Sequence, residues 1–341
     1  MNRTQTKQTG FTLIELLVVV TILVMLLAVS VPMFKPMLES RRTQNAARVL
    51  ATTLEKARAQ AMFEGRAVGV KLIPFETAPA AALQLRIYRE NNAAVNQSSE
   101  HRIKVNNGTL EAFHYNASTE KYDTPDTLPA VFSTGVMVQF NRIGRFYELE
   151  TSSTLKAPYD HLTLPNEDAA DGAAMEYAVL RLPSPALTPQ VIMPKGTIVD
   201  LAFSGGRGTA AKDVDERQQG QFPLKFVIPP GERQGVTIMF SPAGYIKDVF
   251  FNDTVNGLRI LPNEMLYFCV GEWDRQSADG QLSLADDRKT NLQVSTTYWV
   301  TIHPKTGAVH VTENKPVSTT TDNDIIKART FATEHYAGID N

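Results

Sequence analysis

The chain has 341 residues, of which 43% are hydrophobic and 21% charged, a balance that supports a buried core and excludes a disordered, collagen-like or multi-span membrane protein. Its 34 basic and 36 acidic residues leave a net charge of −2, so whole-molecule electrostatics gives no general attraction to nucleic acid. A single cysteine, Cys269, excludes an internal disulfide and a cysteine-based zinc site.

The first element is segment 11–34, apolar except for Thr12, Glu15, Thr21 and Ser30. As a helix it would extend roughly 36 Å at about 1.5 Å per residue, enough to cross about 30 Å of hydrocarbon. A single membrane span is therefore expected. The competing reading is a secretory signal peptide, with Arg3 and Lys7 ahead of the apolar run and the small-residue triplet Ala28-Val29-Ser30 as a cleavage site. The run is long for that purpose and carries a carboxylate at its start. An acidic group at such depth costs about 2.5–3.5 kcal/mol, which marks Glu15 as a functional residue with a partner.

Pro32 and Pro36 each remove a helix hydrogen bond, so a kink is expected there. The helical pattern then resumes: Ala47, Leu50, Leu54, Ala57 and Ala61 recur at spacings of three and four and form one apolar stripe. Gly65 is placed to end the helix in the left-handed region. The spacing predicts one kinked helix of about fifty residues, whose second half packs on a sheet.

Beyond Gly65, short alternating segments appear at 67–73, 83–88, 131–140, 177–182, 191–203, 222–228, 236–240, 266–270, 298–303 and 308–312, punctuated by Pro74, Pro183, Pro229-Pro230, Gly244 and Gly307. The fold class is α+β: a long kinked N-terminal helix packed on an antiparallel β-sheet head. The clearest hairpin joins Trp299–His303 to Ala308–Val311 through Pro304-Lys305-Thr306-Gly307. Segments 74–130, 148–176 and 205–221 and the tail after Asn314 read as polar loops or insertions. Within that tail, Asp322 is placed to cap a short helix through Thr333.

Groups that carry chemistry are sparse. His303 and His310 face one another across the last hairpin, without a carboxylate or cysteine to complete a metal set. Ser204-Gly205-Gly206-Arg207-Gly208 lacks phosphate-loop spacing and reads as a flexible loop. Asp274, Asp279, Asp286 and Asp287 form an acidic loop with Gly280; calcium is the ion it would accept, although Arg275 and Ser277 break the EF-hand spacing. No cofactor is expected otherwise. Trp273 and Trp299 are read as core residues, with surface anchoring of a secreted ligand as the alternative. No motif for nucleophilic or zinc-dependent hydrolysis is visible.

The residues Gln8-Thr9-Gly10-Phe11-Thr12-Leu13-Ile14-Glu15, continuing as LLVVVTILVML, resemble the type IV prepilin and pseudopilin family. The resemblance implies that prepilin peptidase, acting from the cytoplasmic side, cuts between Gly10 and Phe11, and that Phe11 is then methylated. It makes Glu15 the assembly carboxylate, paired with the ammonium of an adjacent subunit. The chain then divides into a leader (1–10), a membrane helix (11–34), an amphipathic half-helix (35–65), a periplasmic head (66–314) and a tail (315–341). Flanking charges do not orient the span, because Lys35, Arg41 and Arg42 offset Arg3 and Lys7; the resemblance places the head in the periplasm, anchored by a single inner-membrane pass.

The last hairpin, segment 57–70 and segment 199–205 also resemble the minor pseudopilin H and FimT-like group. The function implied is structural and non-enzymatic: a minor pilin or pseudopilin of a type II secretion pseudopilus or a type IV pilus-like filament. Its partners would be prepilin peptidase, other pilins, the inner-membrane assembly platform and secreted cargo. The alternatives are a DNA-binding minor pilin, for which Lys305, Lys315, Lys327 and Arg329 are the nearest basic residues, and a membrane-anchored exported enzyme.

Overall fold

The structure is a computed structural model that describes residues 13–75, 77–90, 101–106, 108–129, 132, 136–140, 146–155, 174–206, 226, 235–253, 257–260, 264–276, 289–318 and 322–337. Helix α1 (Leu13–Glu64) runs for 52 residues and continues through Pro32 and Pro36. The bend expected at the two prolines falls where only the helical state of the backbone is described. The helix stops at Gly65, whose φ of 66° places it in the left-handed region and whose N–H bonds the Ala61 carbonyl at 3.1 Å.

The head is built on an 11-stranded antiparallel sheet with strands from both halves of the chain. Its strands are β1 (Val68–Phe75), β2 (Ala78–Arg89), β9 (Ser184–Pro185), β10 (Val191–Ile192), β11 (Thr197–Gly205), β12 (Val236–Phe240), β13 (Ile246–Asp253), β14 (Gly257–Ile260), β15 (Leu266–Glu272), β16 (Tyr298–Ile302) and β17 (Val309–Glu313). The order is β14-β13-β12-β1-β2-β11-β15-β16-β17, and β9 and β10 also pair with β2. Helix α2 (Asp322–Ala337) follows the last strand.

Strand alternation sends side chains to two faces, and each face has its own cover. On one, Val68, Val70, Leu72, Val300 and Ile302 meet the α1 stripe Ala47, Leu50, Leu54, Ala57 and Ala61, all fully buried. Burial of each leucine stabilises the docking by about 1.5–3 kcal/mol. Two polar ties fix the angle: the Thr43 hydroxyl bonds the Thr296 carbonyl, and Arg58 Nε donates to the Gly244 carbonyl at 3.0 Å. On the opposite face, Tyr267, Cys269 and Trp299 are covered by Ile325, Ala328 and Ala332 of α2. The tail is therefore a packed layer of the head.

Segment 74–130, expected to be loop apart from the strand at 83–88, carries the end of the β1 strand, a β2 that contains 83–88 and begins earlier at Ala78, and a second sheet of β3 (His101–Asn106), β4 (Thr109–Asn116) and β5 (Lys121–Asp126). Only Ile103, Leu110 and Ala112 in this sheet are fully covered, and β5 contains Pro125, as an edge strand tolerates. That polar balance hides the strands from a hydrophobicity reading. A third sheet, β6 (Val136–Phe140), β7 (Phe146–Glu148) and β8 (Tyr177–Arg181), shares a core with the second through Ile103, Leu110, Val138, Leu149 and Val179. The predicted strand at 222–228 lies outside the described residues apart from Phe226, which packs against Phe251 and Phe268.

Candidate functional site

Gly10 and Phe11 lie outside the described residues, and Glu15 stands exposed on the first turn of α1. After it, the consecutive residues Leu16, Leu17, Val18, Val19 and Val20 are each about half exposed. An unbroken row of this kind makes the helix apolar on every side, as surroundings of lipid or neighbouring helices require. Thr21 is satisfied within the helix, its hydroxyl donating to the Leu17 carbonyl at 2.8 Å. Among the described residues no helix is long and apolar enough to cross a membrane.

The half of α1 that enters the head ends in a charged hub. Glu64 accepts from Arg89 at 2.6 Å, Arg66 at 2.7 Å and Gln60 at 2.7 Å. The Arg89 guanidinium, then that of Arg66, holds its carboxyl down at about 2.

A second polar cluster lies inside the sheet. Asp200 of β11 is fully buried beside Cys269 of β15, and the Asn291 amide donates to its carboxylate at 2.9 Å. Burial raises its pKa to about 7, against the opposing pull of Asn291 and of the backbone N–H groups of Ala202 and Phe203. Burial, helped by Asp200, also pushes the Cys269 thiol well up, so this sulfur is unsuited to nucleophilic work.

In the glycine-rich segment at 204–208, Ser204 and Gly205 are the end of β11 rather than a flexible loop. The Ser204 hydroxyl bonds the Asp200 carbonyl at 2.6 Å, and buried Arg329 of α2 donates to the carbonyls of Phe203 and Gly206. Arg329 also lies over the rings of Tyr267 and Trp299, 5.4 and 5.7 Å from their centroids. It is thereby withdrawn from the basic set considered for DNA. Of the others, Lys315 lies over Phe331 and Lys327 pairs with Asp324 at 3.2 Å.

Trp299 is fully buried and donates to Asn314 at 2.9 Å, while Trp273 packs edge-on against Phe75. Asp274 lies in a short 3-10 turn, and Asp279, Gly280, Asp286 and Asp287 fall outside the described residues.

His303 and His310 are offset across the last hairpin: His310 is in register with Thr301, and the His303 N–H bonds the Ala308 carbonyl. The histidines that do meet are His101 and His114, in register on β3 and β4, with Asp126 of β5 beside them. Sequence reading missed this trio because its region was taken as loop. The available signal was Asn107-Gly108, a two-residue turn signature between alternating apolar runs.

No curated protein and no solved structure matches the chain. Residues 5–31 match the family described as the prokaryotic N-terminal methylation motif. That match covers the expected cut site, Phe11 and Glu15, and it supports a type IV pilin-like protein processed by prepilin peptidase and assembled with other pilins.

Proposed function

We propose that this chain is a minor pilin or pseudopilin, a structural and non-enzymatic subunit of a type II secretion pseudopilus or a type IV pilus-like filament. The observation that carries the reading is the division of labour along α1. Residues 13–28 expose apolar side chains all around the helix, while farther along one face, the stripe Ala47, Leu50, Leu54, Ala57 and Ala61, is buried against the head. A helix of this kind is stored in the inner membrane and moves into a filament core by exchanging lipid for neighbouring helices, with the head carried outside. Glu15 recovers its desolvation cost by pairing with the ammonium that cleavage creates at Phe11 of an adjacent subunit. The type II secretion assignment rests on the likeness of the last hairpin and the helix-to-strand junction to the pseudopilin H and FimT-like group.

The test is the N-terminus of the membrane-extracted protein, read by intact-mass and terminal-peptide mass spectrometry with and without coexpressed prepilin peptidase. A methylated start at Phe11 that depends on the peptidase supports the reading. A start after Ser30, or an uncut Met1, overturns it.

A further inference from the structure

Antiparallel pairing brings three ligand-type side chains from three strands to one place. His101 lies opposite His114, and Thr124 lies opposite His114 on the other side. Asp126, two residues beyond Thr124, therefore points to the same face as both histidines. That face is the one that packs into the second core. Along β3 its positions read His101 then Ile103; along β4 they read Leu110, Ala112, His114. The trio thus stands where the buried apolar columns reach solvent, with one wall of protein and one open side.

The ligand atoms of the three residues lie within 4.8 Å of one another. His101 Nε2 and Asp126 Oδ2 are 2.9 Å apart, and the two imidazole centroids are separated by 5.4 Å. A tetrahedral ion with bonds of about 2.0–2.1 Å needs its ligands roughly 3.3 Å apart, which small rotations of the exposed His114 and Asp126 side chains about a half-buried His101 would provide. The carboxylate is already aimed. Its Oδ1 accepts the Thr127 N–H at 2.7 Å, which directs Oδ2 to the imidazole. Two imidazoles and one carboxylate are a poor set for calcium or magnesium, which take oxygen, and a good one for zinc and its neighbours.

We propose that His101, His114 and Asp126 form a binding site for a zinc-class divalent cation on the β3-β4-β5 sheet, with the fourth coordination position open to solvent. The site is independent of the N-terminal motif and stands whichever filament the chain joins. The fourth position accommodates water or a side chain from a partner, so the ion is suited to a structural or docking role at the surface of the head.

The experiment is titration of the untagged full-length chain in detergent with Zn²⁺, using a chromophoric chelator as competitor, in the presence of excess Ca²⁺. One equivalent is expected to bind, with affinity falling at least tenfold in each of His101→Ala, His114→Ala and Asp126→Asn. His114→Ala is decisive because it leaves the His101–Asp126 hydrogen bond in place; circular dichroism confirms that this variant stays folded. X-ray absorption at the zinc edge should show nitrogen and oxygen neighbours near 2.0–2.1 Å, including two imidazoles. Absence of binding, displacement of Zn²⁺ by Ca²⁺, or binding unchanged in His114→Ala overturns the proposal.

Discussion

Asn291 donates its side-chain amide to Asp200 at 2.9 Å in the middle of the head, with Gly271 beside it; a Cβ on Gly271 would meet the Asn291 oxygen at 2.2 Å. This hydrogen bond does not restore Asp200 to an ordinary acid, because burial dominates and its pKa stands at about 7. Below about pH 4 both folded and unfolded chains keep the proton. From there to about pH 7 the unfolded chain releases it while the folded chain retains it, so stability falls as pH rises through this window, by up to roughly 4 kcal/mol. Asp200→Asn should flatten that part of the profile and gain on the parent protein between pH 5 and pH 8. Urea denaturation across this range checks it; parallel profiles for the two proteins would refute it.

Glu64 behaves in the opposite sense. Arg89 and Arg66 lower its pKa to about 2, so its contribution is present above the ordinary glutamate range near 4.5 and is lost as pH falls towards 2. The pairs are partly exposed, and each contributes about 0.2–1 kcal/mol. Glu64→Gln should cost about 1 kcal/mol at pH 7 and almost nothing near pH 2, measured by denaturation at the two values. An equal cost at both would assign the effect to packing instead of charge.

Much of this arrangement could be read from the residue pattern, where local chemistry and tertiary packing agree. The stripe Ala47, Leu50, Leu54, Ala57 and Ala61 has helical period and no rival partner, and all five are buried. Gly65 and Gly307 follow elements that need a left-handed residue, and both have positive φ. The edge hairpin β13–β14 and the polar sheet β3–β5 were not legible, because their strands are held by backbone pairing and by sheets that come from distant parts of the chain. Asp200 was invisible as a buried acid for a related reason. In Val199-Asp200-Leu201 it occupies the alternate face that looks solvent-exposed, yet in the fold it is fully buried and bonded by Asn291 from a distant part of the chain. The motif around Gly10, Phe11 and Glu15 is the opposite case, contiguous in sequence and therefore readable without any fold.

Two glycines with the same backbone conformation should differ in cost. Gly65 and Gly307 have φ of 66° and 65°, but an added Cβ on Gly65 meets nothing within 4 Å, whereas on Gly307 it falls 2.0 Å from the Gly244 carbonyl oxygen. That carbonyl is the acceptor for Arg58 of α1. Gly65→Ala should cost about 1 kcal/mol through backbone strain alone. Gly307→Ala should cost about 2–4 kcal/mol, because the turn must shift and the helix loses its tie. Thermal denaturation of the two variants gives the comparison, and equal shifts would show that the contact between the two turns carries no energy.

In the proposed function Glu15 should separate processing from assembly. It stands exposed on the first turn of α1, beyond the Gly10-Phe11 bond and inside the segment that matches the methylation motif. The expected cut precedes Glu15, whereas the pairing proposed in the filament uses its charge directly. An isosteric amide keeps the volume and removes the negative charge, so Glu15→Gln should be cut and methylated at Phe11 as fully as the parent protein. Its incorporation into sheared or crosslinked filaments should fall at least tenfold, the loss of about 1.4 kcal/mol or more per contact that an unpaired ammonium at the interface implies. The carboxylate variant Glu15→Asp should recover part of this. Terminal-peptide mass spectrometry reads the first outcome and immunoblotting of the filament fraction the second. Normal incorporation of Glu15→Gln would remove the charge pair from the account of assembly and leave apolar helix packing to drive it.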